Sequence, residues 1–388
     1  MLPMIKRDIT EKMLALSCKF PVVAITGPRQ SGKTTLARSL FPKKTYVTLE
    51  NPDTLESAVN DPRFFLEKFS TGAVLDEIQR APKLFSYIQE IVDERKKNGL
   101  FIITGSQQFE LMSQITQSLA GRVALLTLLP LNYSEIKSQQ KKETSIEHQM
   151  YLGGYPRIYD QSIAPEDWFL NYIRTYIERD VRLIKNIDDL TSFQRFLKMC
   201  AARTGQLLNL TALGNDCGIS HNTAKAWLSI LEASYITYTL APHHQNFGKR
   251  LMKAPKLYFW DTGLVCHLLN IQSEENLAFH AKRGEIFETW VLSELIKNYL
   301  NAGKRPSLFF WQDKRHEIDV VIEKGDELIP LEIKSAKTIN QDHFKSLAYW
   351  CQIAKYDPKK AMLVFAGDED QKRSQGHVYS WRNLAKIG

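Results

Sequence analysis

The segment Gly27-Pro28-Arg29-Gln30-Ser31-Gly32-Lys33-Thr34 constrains this chain more than any other stretch. It fills every fixed position of the phosphate-loop pattern G-x-x-x-x-G-K-[ST]. Its flanks fit too. Pro21-Val22-Val23-Ala24-Ile25 reads as a buried parallel strand leading in, and Thr35-Leu36-Ala37-Arg38-Ser39-Leu40 as a helix leading out. Glycines at these places let backbone N–H groups turn toward phosphate oxygens, and the positive end of the following helix points at them. In this reading Lys33 reaches the β- and γ-phosphates, Thr34 holds Mg²⁺, and the chain from Gly27 to Thr35 cradles the anion. A chance glycine-rich turn would have to match all the fixed positions between a strand and a helix. The expectation is a nucleoside triphosphate site, with ATP and Mg²⁺ as its ligands.

A second pattern supports the first. Thr71-Gly72-Ala73-Val74-Leu75-Asp76-Glu77 is a short apolar strand ending in two carboxylates, the form of a Walker B element. Asp76 is expected to hold Mg²⁺ and Glu77 to polarise the attacking water, a group that mere nucleotide binding does not need. By itself such a strand end reads as a solvated turn; behind a complete phosphate loop it reads as hydrolytic. A further strand, Leu100-Phe101-Ile102-Ile103, runs into Thr104-Gly105-Ser106, whose hydroxyls are placed to sense the γ-phosphate or to cap the strand. Ser106 joins the expected nucleotide contacts.

The chain has 388 residues, which suggests two or three domains. Its 44% apolar and 24% charged residues describe a globular protein without low-complexity tracts. No apolar run reaches the ~20 residues of a membrane span, and the N-terminus lacks a signal-peptide core. The cysteines Cys18, Cys200, Cys217, Cys266 and Cys351 are odd in number and scattered, so they read as reduced thiols of a cytoplasmic protein. A net charge of +8 permits a polyanionic partner without requiring one.

Three regions follow along the chain. Residues 1–150 alternate strand and helix patterns as parallel α/β domains do, with strands at 46–50 and 121–131 and a helix over 83–95. Residues 151–278 are helical at first, with a charged helix expected over 172–184. Then come helices near 190–203 and 209–214, a break at Asp216-Cys217-Gly218-Ile219-Ser220, and a helix from His221 to Leu231. That is a helix-turn-helix pattern with Ser220 as N-cap. Strands at 235–240 and 256–260 flank a loop with His243, His244, Lys249, Arg250 and Lys253, which completes a winged helix. Its expected partner is DNA, met by His221, Asn222, Thr223 and Lys225, while the other reading is a protein-docking module.

Residues 279–388 hold a different pattern. An amphipathic helix over 285–300 places Glu288 near its apolar stripe, and strands 308–311, 317–322 and 328–334 follow, the last two forming a hairpin. Side chains alternate along a strand, so Glu332 and Lys334 share a face that Asp319 can join. Asp319 and Glu332 there suit a second Mg²⁺, with Glu288 and Lys334 beside it. The order of these elements points to a restriction-endonuclease-like fold.

From Gly27 to about Lys337 the chain resembles the prokaryotic family of AAA-type ATPases that carry a C-terminal domain of unknown function, DUF4143. The resemblance rests on G-P-R-Q-S-G-K-T-T-L (27–36), L-D-E-I-Q-R-A-P (75–82), T-G-S (104–106), L-A-G-R-V (119–123), G-G-Y-P (153–156), Y-I-E-R-D-V (176–181) and D-T-G-L (261–264). It implies an α/β protein made of a P-loop ATPase domain, a winged helix and a nuclease-like C-terminal domain. Oligomeric ATPases often take an arginine from a neighbour. Arg122 is the first choice for that catalytic role or for a sensor, followed by Arg179 and Arg182, and a homo-oligomer is the matching assembly. Three functions stay open: an ATP-driven DNA-processing enzyme, a nucleotide switch with a silent nuclease-like fold, and a regulator that only binds.

Overall fold

Strands β1 (Val22–Thr26), β3 (Ala73–Asp76) and β4 (Phe101–Thr104) are buried along their whole length. Such strands can only sit in the middle of a parallel sheet covered on both faces. The computed structural model, which describes residues 5–106, 115, 117–140, 142–177, 189–243 and 254–387, places them so. With β2 (Thr45–Thr48) and β5 (Val123–Thr127) they form a sheet of order β2-β3-β4-β1-β5, in which every pair is parallel. Alternation divides the side chains. Val22 and Ala24 face Phe85 and Ile88 of the Leu84–Arg95 helix, whereas Val23 and Ile25 face Met13 and Leu36 on the other side.

The expected last strand over 121–131 is shorter. Leu128 still donates to Thr26 O, but Pro130 has no N–H, and Leu131 donates to Gly154 O instead. The expected helix over 172–184 also differs: a helix spans Pro165–Tyr172, started by Pro165, and gives way to a π-helical turn at Ile173–Ile177. Residues 178–184 lie outside the described ones.

After the Leu190–Ala202 helix comes the short β6 (Gln206–Leu207), and then the Leu210–Cys217 and His221–Ala233 helices meet at a turn. Gly218 sits there at φ 70°, and Ser220 Oγ caps the second helix by accepting from Thr223 N at 3.1 Å. Trp227 wedges between Phe193 and Phe196. β7 (Thr237–Leu240) and β8 (Lys256–Phe259) complete a three-stranded antiparallel sheet of order β6-β8-β7.

The C-terminal sheet has the order β13-β14-β12-β11-β10-β9, with β9 Leu308–Gln312, β10 Glu317–Lys324, β11 Glu327–Lys334, β12 Met362–Phe365, β13 Gln371–Arg373 and β14 Gly376–Ser380. Helix Arg283–Asn301 packs Phe287 and Val291 in one core with Val320, Ile322, Leu331 and Ile333. Helix Lys345–Ala354 packs Trp350 on the other face, against Ile318, Val321 and Leu363. Ile318 and Val321 share a face because β10 carries an irregularity between them, where Asp319 sits.

Buried polar contacts tie the regions together. Lys297 Nζ donates to Leu131 O at 3.0 Å and to Glu294 Oε1 at 2.9 Å, and Glu294 Oε2 accepts from Tyr133 N at 2.6 Å. The first region is thereby fixed to the Arg283–Asn301 helix.

Candidate nucleotide site and a second charged cluster

The phosphate loop leaves β1 through Gly27, at φ 142°. A Cβ there would stand 2.1 Å from Leu128 O, so only glycine fits. Gly32, at φ 94°, caps the Lys33–Leu40 helix in a left-handed conformation. Lys33 Nζ donates to Gly27 O and Pro28 O at 2.9 and 2.7 Å, so its ammonium lies inside the loop. Thr34 Oγ1 stands 3.0 Å from both oxygens of Asp76, although 42 residues separate them in sequence. A hydroxyl and a carboxylate, both hard oxygen donors, converge there, and that donor set suits Mg²⁺.

Asp76 is 5% exposed and also accepts from Thr104 Oγ1 and, at 2.9 Å, from Tyr46 OH. Burial and the Asp76 charge push the Tyr46 phenol up to about 12. Glu77 follows at φ 55°, a left-handed backbone rare outside glycine. Its Oε2 accepts from Gln79 Nε2 at 2.6 Å and from Ser106 Oγ at 2.9 Å. The hydroxyl of Ser106 is thus placed on Glu77, and that of Thr104 on Asp76.

Contacts from distant sequence brace the loop. The Arg7 guanidinium donates to Ser31 O at 2.8 Å and Leu129 O at 2.7 Å and pairs with Glu135 at 3.0 Å. Gln30 Nε2 donates to Tyr176 OH at 2.7 Å, and the Arg29 guanidinium lies over the Tyr176 ring. Thr35, Leu36, Leu40, Ile5 and Pro156 line a cavity of 520 Å³ beside the loop. Sequence reasoning missed Tyr46, Gln79, Arg7 and Tyr176. Only Gln79 carried a local signal, two residues from Glu77.

Arg122 stands elsewhere. Its carbonyl accepts from Val22 N, so it lies at the entry end of β1, opposite the end that leads into the phosphate loop. Its partly exposed guanidinium grips both oxygens of Asp93, at 2.6 and 2.7 Å. A sensor role toward the nucleotide of its own chain is corrected by this placement, because the length of the strand intervenes. Arg179 and Arg182 lie outside the described residues.

On the helix pair, His221, Asn222 and Lys225 are exposed. His243, expected in the basic loop, is buried instead, and its backbone N–H donates to Phe310 O at 2.7 Å. His244, Lys249, Arg250 and Lys253 lie outside the described residues.

The second cluster gathers Glu288, Asp319, Glu332 and Lys334. Val320 pairs with Leu331, which sets Asp319 and Glu332 one step further along the same ladder. Asp319 accepts from Ile333 N at 2.7 Å, and Lys334 Nζ pairs with Glu332 Oε1 at 2.5 Å. Two partners from β8 enter this cluster unforeseen. Lys256 Nζ contacts Glu288 at 3.2 Å and also pairs with Glu317, while Tyr258 OH donates to Glu288 at 2.5 Å. Burial and then the Asp319 charge push Glu288 up to about 7, and the same causes raise Glu332 well above the usual carboxylate range. Burial opposes the Lys256 charge, but Glu288, Asp319 and Glu317 outweigh it and raise the ammonium. Glu288 is held by Lys256 and Tyr258, and among the described residues no group of three or more His, Cys, Asp or Glu is arranged to hold a metal.

Among the described residues no helix is long and apolar enough to cross a membrane. Residues 19–137 match the AAA domain (AAA_14), residues 143–275 a domain of unknown function (DUF8612) and residues 283–384 another (DUF4143). The uncharacterized protein Rv2008c of Mycobacterium tuberculosis is 31% identical over 342 residues, 86% of this chain and 74% of its own. The uncharacterized protein MJ1544 of Methanocaldococcus jannaschii is 23% identical over 398 residues, 94% of this chain and 86% of its own. Among solved structures, the Walker-type ATPase paby2304 of Pyrococcus abyssi is similar at TM-score 0.47 and 13% identity, over 68% of this chain and 96% of that one. The RuvB Holliday junction branch migration motor of Thermotoga maritima is similar at TM-score 0.33 and 20% identity, over 60% and 89%. Likeness at these scores says nothing of what this chain binds. The phosphate loop, the paired carboxylates, the parallel sheet and the matched domains agree: the chain belongs to the prokaryotic family of AAA-type ATPases with a C-terminal DUF4143 domain.

Proposed function

We propose that this chain is a Mg²⁺-dependent ATPase whose nucleotide turnover is coupled to DNA binding. One observation carries the hydrolytic half of this reading. Glu77, a carboxylate that binding alone does not require, stands directly after the Thr34–Asp76 pair and is oriented by Gln79 and Ser106. The backbone N–H groups of Gly27 and of Arg29 through Thr35, with the Lys33 ammonium, would take the phosphates, and Thr34 and Asp76 would hold Mg²⁺, which would supply positive charge to the phosphates. Glu77 accepts a proton from the attacking water. The cavity lined by Ile5, Leu36, Leu40 and Pro156 takes the nucleoside. Arg122, partly exposed and remote from its own loop, serves the nucleotide of a neighbouring copy in a homo-oligomer.

In the same reading, residues 1–150 form the ATPase domain, 151–278 a winged-helix domain that meets DNA through His221, Asn222 and Lys225, and 279–388 a restriction-endonuclease-like domain. A second reading, an ATP-dependent switch with a catalytically silent C-terminal fold, is favoured by the Lys256 contacts within the carboxylate cluster.

The test is ATP hydrolysis with and without duplex, single-stranded and branched DNA, with cleavage read in the same tubes. DNA-stimulated hydrolysis without nicking is expected of a DNA-coupled ATPase with a silent third domain. No Mg²⁺-dependent hydrolysis under any condition removes the reading.

A further inference from the structure

The C-terminal cluster gathers Glu288, Glu317, Asp319 and Glu332 around two lysines. Lys334 comes from the same strand as Glu332, an arrangement any strand with Glu-x-Lys produces. Lys256 is different. It arrives from β8, outside the C-terminal sheet, and is 3% exposed in spite of its charge. Its ammonium contacts Glu288 from the Arg283–Asn301 helix at 3.2 Å and Glu317 from β10. Tyr258, two residues on and therefore on the same face of β8, adds its hydroxyl to Glu288.

We propose that Lys256 is the resident cation of the DUF4143 carboxylate cluster: its ammonium takes the place a divalent metal ion would need, and the cluster binds no such ion while β8 is docked. An isolated lysine this deeply buried would lose its charge, so its retention requires the carboxylates it touches. The carboxylates in turn would repel one another without a cation among them. Lys256 and Lys334 balance only part of the formal carboxylate charge. Glu332 Oε2, buried and without a partner among the described residues, marks where the cluster still lacks a donor or a cation. Because β8 belongs to the region between the ATPase core and this cluster, metal access depends on how that region sits.

The inference rests on the proposal that residues 279–388 carry a nuclease-like fold, and it is independent of ATP turnover. The test is Mn²⁺ binding by the full chain without nucleotide at neutral pH, followed by electron paramagnetic resonance. The parent chain is expected to show no Mn²⁺ uptake that Asp319→Asn abolishes. Lys256→Met, which keeps the stem and removes the charge, is expected to gain one Mn²⁺ per chain, lost again in Lys256→Met/Asp319→Asn. Because Lys256→Met leaves buried carboxylates unpaired, Lys256→Gln, which keeps a donor, is measured alongside, and circular dichroism checks that each variant is folded. Mn²⁺ bound by the parent chain and lost on Asp319→Asn overturns the proposal, a result that needs no Lys256 variant to fold. Folded Lys256 variants that gain no metal overturn it too. Neither outcome touches the ATPase reading, which Mg²⁺-dependent hydrolysis tests separately.

Discussion

The Tyr235 hydroxyl donates to Thr26 Oγ1 at 2.8 Å across 209 residues of sequence. Tyr235 follows the second helix of the helix pair and holds a left-handed backbone at φ 55°. Thr26 is the last residue of β1, next to Gly27. The helix pair is therefore fastened to the residue from which the phosphate loop starts.

Tyr235→Phe removes that bond and keeps the ring. Thr26 Oγ1 retains Thr127 Oγ1 at 3.2 Å, so no group on the strand is orphaned. Stability should fall by only about 1 kcal/mol, read by denaturant unfolding. A loss several times larger would show that the contact fixes more than one side chain.

Lys33→Ala and Glu77→Gln separate binding from turnover. The first removes the ammonium that lies inside the loop and should weaken binding of a fluorescent ATP analogue by about tenfold or more, equivalent to ~1.4 kcal/mol. The second keeps shape and hydrogen bonding but cannot take a proton. Its kcat should fall by roughly 10² to 10⁴ with nucleotide binding intact. Parent-level hydrolysis by Glu77→Gln would falsify the choice of base.

The two sites differ in how far sequence reveals them. Gly27 to Thr34 lie together in the chain, and their spacing is dictated by the anion they wrap, so local sequence suffices. Asp76 and Glu77 announce themselves as charges at the end of an apolar strand. Tyr46 and Tyr176 carry no such mark, because they join the site by tertiary packing across 30 and 146 residues. Glu288, Asp319, Glu332 and Lys334 were legible as a strand-and-helix pattern. Lys256 was not, since it belongs to another sheet. A lysine flanked by Leu257, Tyr258 and Phe259 was the available hint, because a charge within so apolar a strand needs a partner.

Arg122 is expected to act between chains. Arg122→Ala leaves Asp93 exposed and should cost little stability, as surface pairs are worth ~0–1 kcal/mol. Turnover should nevertheless fall by about 10³. Mixing Arg122→Ala with Glu77→Gln chains should restore part of it, since an intact Glu77 on one chain then meets an intact Arg122 on the next. Full activity in Arg122→Ala, or no rescue on mixing, removes the role.

Lys225 is exposed on the second helix of the pair, between the buried Ala224 and Trp227, which fix its direction. If that face meets DNA through phosphate, Lys225→Ala should reduce the slope of log K against log salt by about 0.9. Fluorescence anisotropy with duplex DNA at several salt concentrations measures it. An unchanged slope, or no binding at low salt, turns the helix pair into a protein-docking surface.

Glu288 predicts a pH dependence of stability. Its carboxyl ordinarily titrates at 4.5 and is pushed up to about 7 in the folded chain, by burial first and by Asp319 next. The groups facing it include Lys256, Tyr258, Glu317 and Asp319, and Lys256 and Tyr258 are both raised, so neither loses its proton in that window. The folded state thus binds the Glu288 proton more tightly than the unfolded state does. The stability this contributes is complete below 4.5 and is lost as pH rises through about 7, a difference of roughly 3 kcal/mol. Melting temperatures should therefore decline between about pH 5 and about pH 8, and Glu288→Gln, neutral throughout, should flatten the decline. A parent chain whose stability rises over that interval, or a variant with the same slope as the parent, would show that the Glu288 proton is not what the cluster holds.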